Sequence, residues 1–333
     1  MVSTSSQLNN HTFTMNRLFG RNELGAPIKA IKYNHQNIPS GYLRISITDL
    51  CNMQCSYCHN EGQVGSTSRK MTIDQLRYIV TNAMRYGLLK VRLTGGEPLL
   101  HSDCHSMLRM LKRELAIPTV GFNTNGALIN RLLPIVSEKL IDDLVIGLDY
   151  IDGTVSKDSP VGSSSTSIIT HILQLKELGQ KVSIACVYDG NYDRLERLAG
   201  WSLDHEIPLK ILQATDNSVE TKISKDFISM AERIIERFSL ELGIIATFSE
   251  YYGLKGGVAK IYFFHSHCRV RECVICGKIH IRVTSDGCVK SCIQEDLQFP
   301  LLTGHFDESM LKVIQNLGCP PETRSSLPNA ACL

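Results

Sequence analysis

The sequence predicts an α/β protein: parallel strands alternating with helices, then a smaller cysteine-rich module. Three observations carry this. From about residue 43, short β-rich runs alternate with segments of helical spacing through six β/α units. The polar motifs cluster at the C-terminal ends of those runs, where barrel enzymes keep their chemistry. After residue 250 the alternation gives way to Gly-, aromatic- and Cys-rich sequence. The alternation alone fits a barrel or an open doubly wound sheet. It divides the chain into a lead-in (1–40), a core (41–245) and a terminal module with tail (246–333).

The elements follow in order. "YLRISIT" (42–48) is the first strand. "TIDQLRYIVTNAMRYG" (72–87) is an amphipathic helix with Thr72 as cap and Gly87 as stop. "LKVRLTG" (89–95) is the second strand, "DCHSMLRMLKREL" (103–115) a helix, and "TVGFNTNG" (119–126) a strand ending in a turn. "DLVIGLD" (143–149), a helix near 166–179, "KVSIACVY" (181–188), a helix near 191–204 and "PLKILQA" (208–214) continue the pattern. A long amphipathic helix at about 224–242 closes it.

A net charge of +2 over 333 residues implies no bulk attraction to nucleic acid or to a membrane surface. No apolar run approaches the length of a membrane span, and the polar start lacks a signal-peptide core. The expected compartment is therefore the cytoplasm. Twelve cysteines in a reducing compartment are not expected to form disulfides. Eight of them fall into two groups, 51/55/58 and 268/273/276/288/292, and such grouping reads as metal or cluster ligation.

The first group, Cys51, Cys55 and Cys58, has the spacing C-x3-C-x2-C directly after strand one. A closed zinc site or a fully ligated 4Fe–4S cluster needs four ligands. Three thiolates leave one iron open to a substrate or cofactor; His59 could instead complete a Cys3His zinc site. "LTGGEPLL" (93–100) follows strand two. Gly95 and Gly96 allow close backbone approach, Glu97 offers a carboxylate to an ammonium group, and Pro98 stiffens the turn.

The cysteine loop with GGEP resembles the radical S-adenosylmethionine (SAM) superfamily. That resemblance implies a partial (βα)6 barrel and a [4Fe-4S] cluster on Cys51, Cys55 and Cys58 whose open iron is chelated by SAM. It also implies SAM contacts from Tyr57, Gly95, Gly96, Glu97, Pro98, Thr124 and Asn125, and an electron donor such as flavodoxin or ferredoxin. "YLRISITDLCNMQCSYC", "KVRLTGGEPLL" and "CVICGKIHIRVTSDGCVKSC" look like the GTP 3′,8-cyclase branch, over roughly residues 20–310. This implies a second [4Fe-4S] cluster on Cys273, Cys276 and Cys292. It also implies an anionic substrate held by Arg44, Lys90, Arg92, Lys210 and Arg282.

There are departures from that branch. His280 replaces an arginine, the Cys276–Cys292 interval is longer by two, and Gly147 stands where a serine is frequent. The chain ends "NAACL" rather than Gly-Gly, and Cys268 and Cys288 are extra thiols. Of these two, Cys268 is the favoured fourth ligand of the second cluster. The expected activity is radical SAM chemistry on a nucleotide or phosphorylated small molecule. The alternatives are the GTP 3′,8-cyclase reaction, peptide modification, and a non-catalytic metal-binding scaffold.

Overall fold

In a computed structural model the described residues are 43–63, 68–151, 165–214, 225–246, 249–253, 257, 259–264, 281–290, 293 and 297–316. Six strands follow the predicted alternation: β1 (Leu43–Ser46), β2 (Lys90–Thr94), β3 (Thr119–Thr124), β4 (Asp143–Gly147), β5 (Val182–Tyr188) and β6 (Leu209–Gln213). All neighbouring pairs among them are parallel. Together with the likeness to solved structures given below, this is a partial barrel of the TIM type.

Each strand alternates between two faces, and the register makes the faces chemically distinct. One carries Ile45, Leu93, Phe122, Ile146, Ile184 and Ile211, all fully buried against the helices. The other carries Arg44, Arg92, Gly121 and Asp143 in one row of register partners, and Gly147, Ala185 and Lys210 in another. Strands of a fully covered parallel sheet read as continuous apolar runs. The alternation here therefore marks a polar interior.

The helices are α1 (Ile73–Met84), α2 (Cys104–Arg109), α3 (Leu132–Ser137), α4 (Ser165–Glu177), α5 (Tyr192–Asp204) and α6 (Lys225–Arg237). A capping box starts α1: the Thr72 hydroxyl accepts from Gln75 N at 3.1 Å, and Gln75 Oε1 accepts from Thr72 N at 2.8 Å. Gly87, at φ 76°, lets the chain leave it for β2.

Three boundaries differ from expectation. The helix expected over 103–115 ends at Arg109 and continues as a π turn, Met110–Glu114. The short α3 was not anticipated, because Pro134 in its first turn masks a brief apolar repeat. The helix expected to reach residue 242 ends at Arg237; Ser239 takes φ 50° and the chain turns into a strand.

That strand, β7 (Glu241–Ala246), runs up to the boundary beyond which the sequence suggests a separate module (246–333). With β8 (Ser249–Gly253) and β9 (Lys260–Phe264) it extends the sheet beyond β6, where β9 runs parallel. At the other edge β10 (Ile281–Val283) pairs parallel with β1, followed by β11 (Cys288–Lys290) and β12 (Phe299–Pro300). The terminal helix α7 (Phe306–Asn316) packs Phe306 against Tyr78 and Tyr86 of the first helical unit. Strands from both sides of residue 245 thus share one twelve-stranded sheet.

Candidate active site

The C-terminal ends of β1, β2 and β3 are tied together by backbone and carboxylate bonds. Gly96 N donates to Thr48 O at 2.9 Å and Glu97 N to Leu50 O at 2.7 Å. A Cβ on Gly95 or Gly96 would run into the backbone of residues 48–50. The base of the cysteine loop packs directly against these two glycines.

Glu97 is tied into the same clamp. It is fully buried, and its oxygens accept from Leu99 N (3.0 Å), the Thr124 hydroxyl (2.8 Å) and Asn125 N (2.7 Å). Burial pushes its pKa up to about 7, against those three donors. Through these bonds Glu97 joins the second loop to the third. Pro98 is buried as the first residue of a short 3-10 turn, Pro98–Leu100.

The cysteine loop, residues 51–58, rests on that clamp. Met53 N donates to Cys51 Sγ at 3.4 Å and Asn60 N to Cys58 Sγ at 3.3 Å. The Asn125 side chain reaches Cys51 Sγ (3.8 Å) and Asn52 Oδ1 (2.8 Å). Burial, opposed by the Met53 N–H, raises the Cys51 thiol pKa. Three thiols outside any disulfide, with N–H bonds to Cys51 and Cys58, form the soft donor set that suits an iron–sulfur cluster. Among the described residues no three His, Cys, Asp or Glu side chains converge on one point. The loop supplies the thiols without drawing them together. His59 Nδ1 accepts from Glu61 N at 3.1 Å, which occupies that ring nitrogen within its own turn.

Tyr57, expected near a cofactor, donates its hydroxyl to Asp149 Oδ2 at 2.7 Å. Burial and then this carboxylate raise its pKa far above the phenol range. Asp149 is a junction that sequence reasoning did not single out. Its Oδ1 accepts from Val187 N at 3.2 Å and its carbonyl from Arg194 Nη1 at 2.6 Å. The signal was present as the acid ending "DLVIGLD", but nothing local tells a junction from an ordinary strand-end acid.

The five cations share the sheet's inner face by register. Arg44 is level with Arg92 and Arg282; Lys90 is two residues before Arg92; Lys210 is level with Ala185. Their surroundings include two acids that the sequence reading passed over. The Arg44 guanidinium binds the Glu61 carboxylate through Nη2 and Nε, the latter at 3.3 Å. Arg92, 4 % exposed, pairs with Asp143 and donates to Asn123 Oδ1 at 2.7 Å. Gly121 makes the second pairing possible, since a Cβ there would lie 2.7 Å from the Arg92 Cζ.

Burial pushes Lys210 down to about 8, Asp143 opposing and the two arginines adding to the fall. A cavity of about 380 Å³ opens at the N-terminal ends of β4 to β6, lined by Asp143, Lys181, Ser183, Lys210 and Tyr262. It lies at the opposite strand ends from the cysteine loop.

Cys268, Cys273, Cys276, His280 and Cys292 lie outside the described residues. Cys288 is described: it starts β11 at the hairpin turn, its N–H donating to the Thr284 hydroxyl at 3.1 Å.

Residues 45–201 match the sequence model of the family described as the radical SAM superfamily. The chain is 26 % identical over 273 residues to "GTP 3',8-cyclase" of Alkaliphilus oremlandii, covering 78 % of this chain and 83 % of that protein. It is 28 % identical to "GTP 3',8-cyclase" of Limosilactobacillus fermentum, covering 80 % and 83 %. It is 26 % identical to "Molybdenum cofactor biosynthesis protein 1" of Bos taurus, covering 88 % and 48 %. Among solved structures, Streptococcus suis SuiB bound to precursor peptide SuiA superposes at a TM-score of 0.62 and 18 % identity, over 92 % of this chain and 70 % of that one. anSMEcpe with bound AdoMet superposes at 0.56 and 17 %, over 87 % and 92 %. These two likenesses are of fold.

Proposed function

With a radical SAM domain across residues 45–201, this chain is a radical SAM enzyme, and we propose that it acts on a nucleotide or another phosphorylated small molecule. One observation carries this reading: Arg44, Lys90, Arg92, Lys210 and Arg282 meet on the inner face of the sheet that bears the cysteine loop. Glu61 pairs with Arg44 and Asp143 with Arg92, and a face that carries five cations suits an anion. The names of the curated relatives supply the substrate class.

In this reading Cys51, Cys55 and Cys58 hold a [4Fe-4S] cluster, and the Gly95–Pro98 and Thr124–Asn125 turns form the SAM-binding rim. Bound there, cluster and SAM supply a 5′-deoxyadenosyl radical that takes a hydrogen from the substrate. Glu97 sets the rim's shape, and Tyr57 on Asp149 holds the loop over the interior. The cations orient the substrate's anionic end. Electrons come from a flavodoxin or ferredoxin, and the setting is cytoplasmic; among the described residues no helix is long and apolar enough to cross a membrane.

A second [4Fe-4S] cluster on Cys273, Cys276 and Cys292, with Cys268 as fourth ligand, belongs to the same reading. Cys288, at the turn end of β11, is the other candidate for that fourth ligand. The GTP 3′,8-cyclase reaction itself is the second reading, favoured by the relatives' names.

The test is anaerobic reconstitution, then measurement of 5′-deoxyadenosine released under dithionite with a panel of nucleotides. Ala at Cys51, Cys55 or Cys58 should abolish release. A triple Ala variant that still releases it would end this reading.

A further inference from the structure

The Arg44 corner carries an anion of the protein's own. Glu61 lies three residues beyond the last loop cysteine, yet its carboxylate turns back into the barrel, and its side chain is only 11 % exposed. Besides the two Arg44 bonds, its Oε1 accepts the Thr94 hydroxyl at 3.1 Å. Arg282, register partner of Arg44 on the neighbouring strand, adds its field. Burial alone would raise the carboxyl's pKa, but Arg44, His59 and Arg282 together hold it well below the usual range.

Reaching this position requires unusual backbone. Asn60 and Glu61 are consecutive non-glycine residues at φ 45° and 50°. Such backbone is disfavoured for a non-glycine residue, for Glu61 above all, and persists only where its surroundings over-determine it. The surroundings do so here: His59 Nδ1 holds the Glu61 amide, Asn60 O accepts from Gln63 N at 2.9 Å, and Gln63 Oε1 accepts from Ser285 N at 2.9 Å beside β10. These three contacts hold an acid against a cation that faces the substrate space.

We propose that Glu61 is a resident counter-anion that sets substrate specificity: an anionic group of the substrate gains Arg44 only by exchanging with the Glu61 carboxylate. The physical reason is competition. A half-buried arginine already satisfied by a bidentate carboxylate offers little to a second anion. While the acid remains, weak or monovalent anions are turned away. A polyvalent group that engages Arg44 and Arg282 together displaces it, and release of the strained Asn60–Glu61 backbone assists the exchange. This rests on the function proposed above, whose own test, 5′-deoxyadenosine release by the wild type and its loss in the Cys51, Cys55 and Cys58 variants, does not involve Glu61.

The experiment measures inorganic pyrophosphate binding to the anaerobically reconstituted enzyme by calorimetry. Glu61→Gln keeps the shape and removes the competing charge. Its affinity should exceed wild type by about tenfold, and the gain should vanish in Glu61→Gln/Arg44→Gln. In the wild type, hydrogen exchange at residues 59–63 should speed up on pyrophosphate addition, a readout that needs no variant to fold. Equal or weaker binding by Glu61→Gln, a gain that survives loss of Arg44, or unchanged exchange at 59–63 would each overturn the proposal.

Discussion

Glu97 and Gly121 show how one residue type in one position controls the site. Glu97 is a carboxyl held neutral by burial, with a folded pKa of about 7 against about 4.3 in an unfolded chain. The neutral form is the one the fold favours. The stability it contributes is fully present below about pH 4.3 and is lost as pH rises through about 7. Glu97→Gln removes this dependence. Between those two values the wild type should lose on the order of 3 kcal/mol relative to the variant, read from paired denaturant melts of the apoprotein. Parallel pH profiles for both proteins would contradict the buried-acid account. Gly121 gives the Arg92 guanidinium its path across β3 to Asp143. Gly121→Val should cost at least about 3 kcal/mol, because a buried arginine is pushed from its partner as well as crowded. A melt within 1 kcal/mol of wild type would mean that Arg92 has another resting place.

The cysteine loop depends on elements far from it in sequence. Tyr57 reaches Asp149 across 92 residues, and Asp149 is itself held by Val187 at β5 and Arg194 at α5. The loop is thus fastened at its far end to the β4 side of the barrel and at its near end to the β2 loop. Tyr57→Phe keeps the ring and deletes the tether. It should cost about 1.5–3 kcal/mol, the scale of a hydrogen bond to a charged group, and should speed hydrogen exchange in residues 51–58 while leaving α1 unchanged. Unaltered exchange in the loop would show that the tether does not hold it.

The sheet is continuous across the boundary that composition suggests. Strand β9 pairs with β6 and β10 with β1, so both flanks of the core barrel come from sequence beyond residue 250. Ile261 in β9 and Ile45 in β1 are both fully buried. Ile261→Ala and Ile45→Ala should each cost about 2–5 kcal/mol and shift the same single unfolding transition. A separate early transition, moved only by Ile261→Ala, would mean that the terminal segment folds as a unit of its own.

Several features were legible in the order of residues alone. The six core strands, most of their helices and the cysteine and GGEP loops were readable, because periodicity, caps and motif spacing are short-range properties of the chain. The alternation in "LRIS" and "KVRLT" even fixed which residues share the inner face, since the strand period is two. What stayed hidden depended on register between distant segments. β9 and β10 are short strands inside cysteine-rich sequence, and only their partners make them part of the barrel. Arg92 meets Asp143 across 51 residues and Arg44 meets Glu61 around the cysteine loop, so two of the five cations have acid partners that the sequence alone did not show. Glu97 turned inward because three donors from two loops converge on it. A residue's type and spacing determine what chemistry it can offer. Whether that chemistry faces a ligand or a neighbouring side chain depends on how the strands pack, because a buried charge takes whichever partner the fold brings closest.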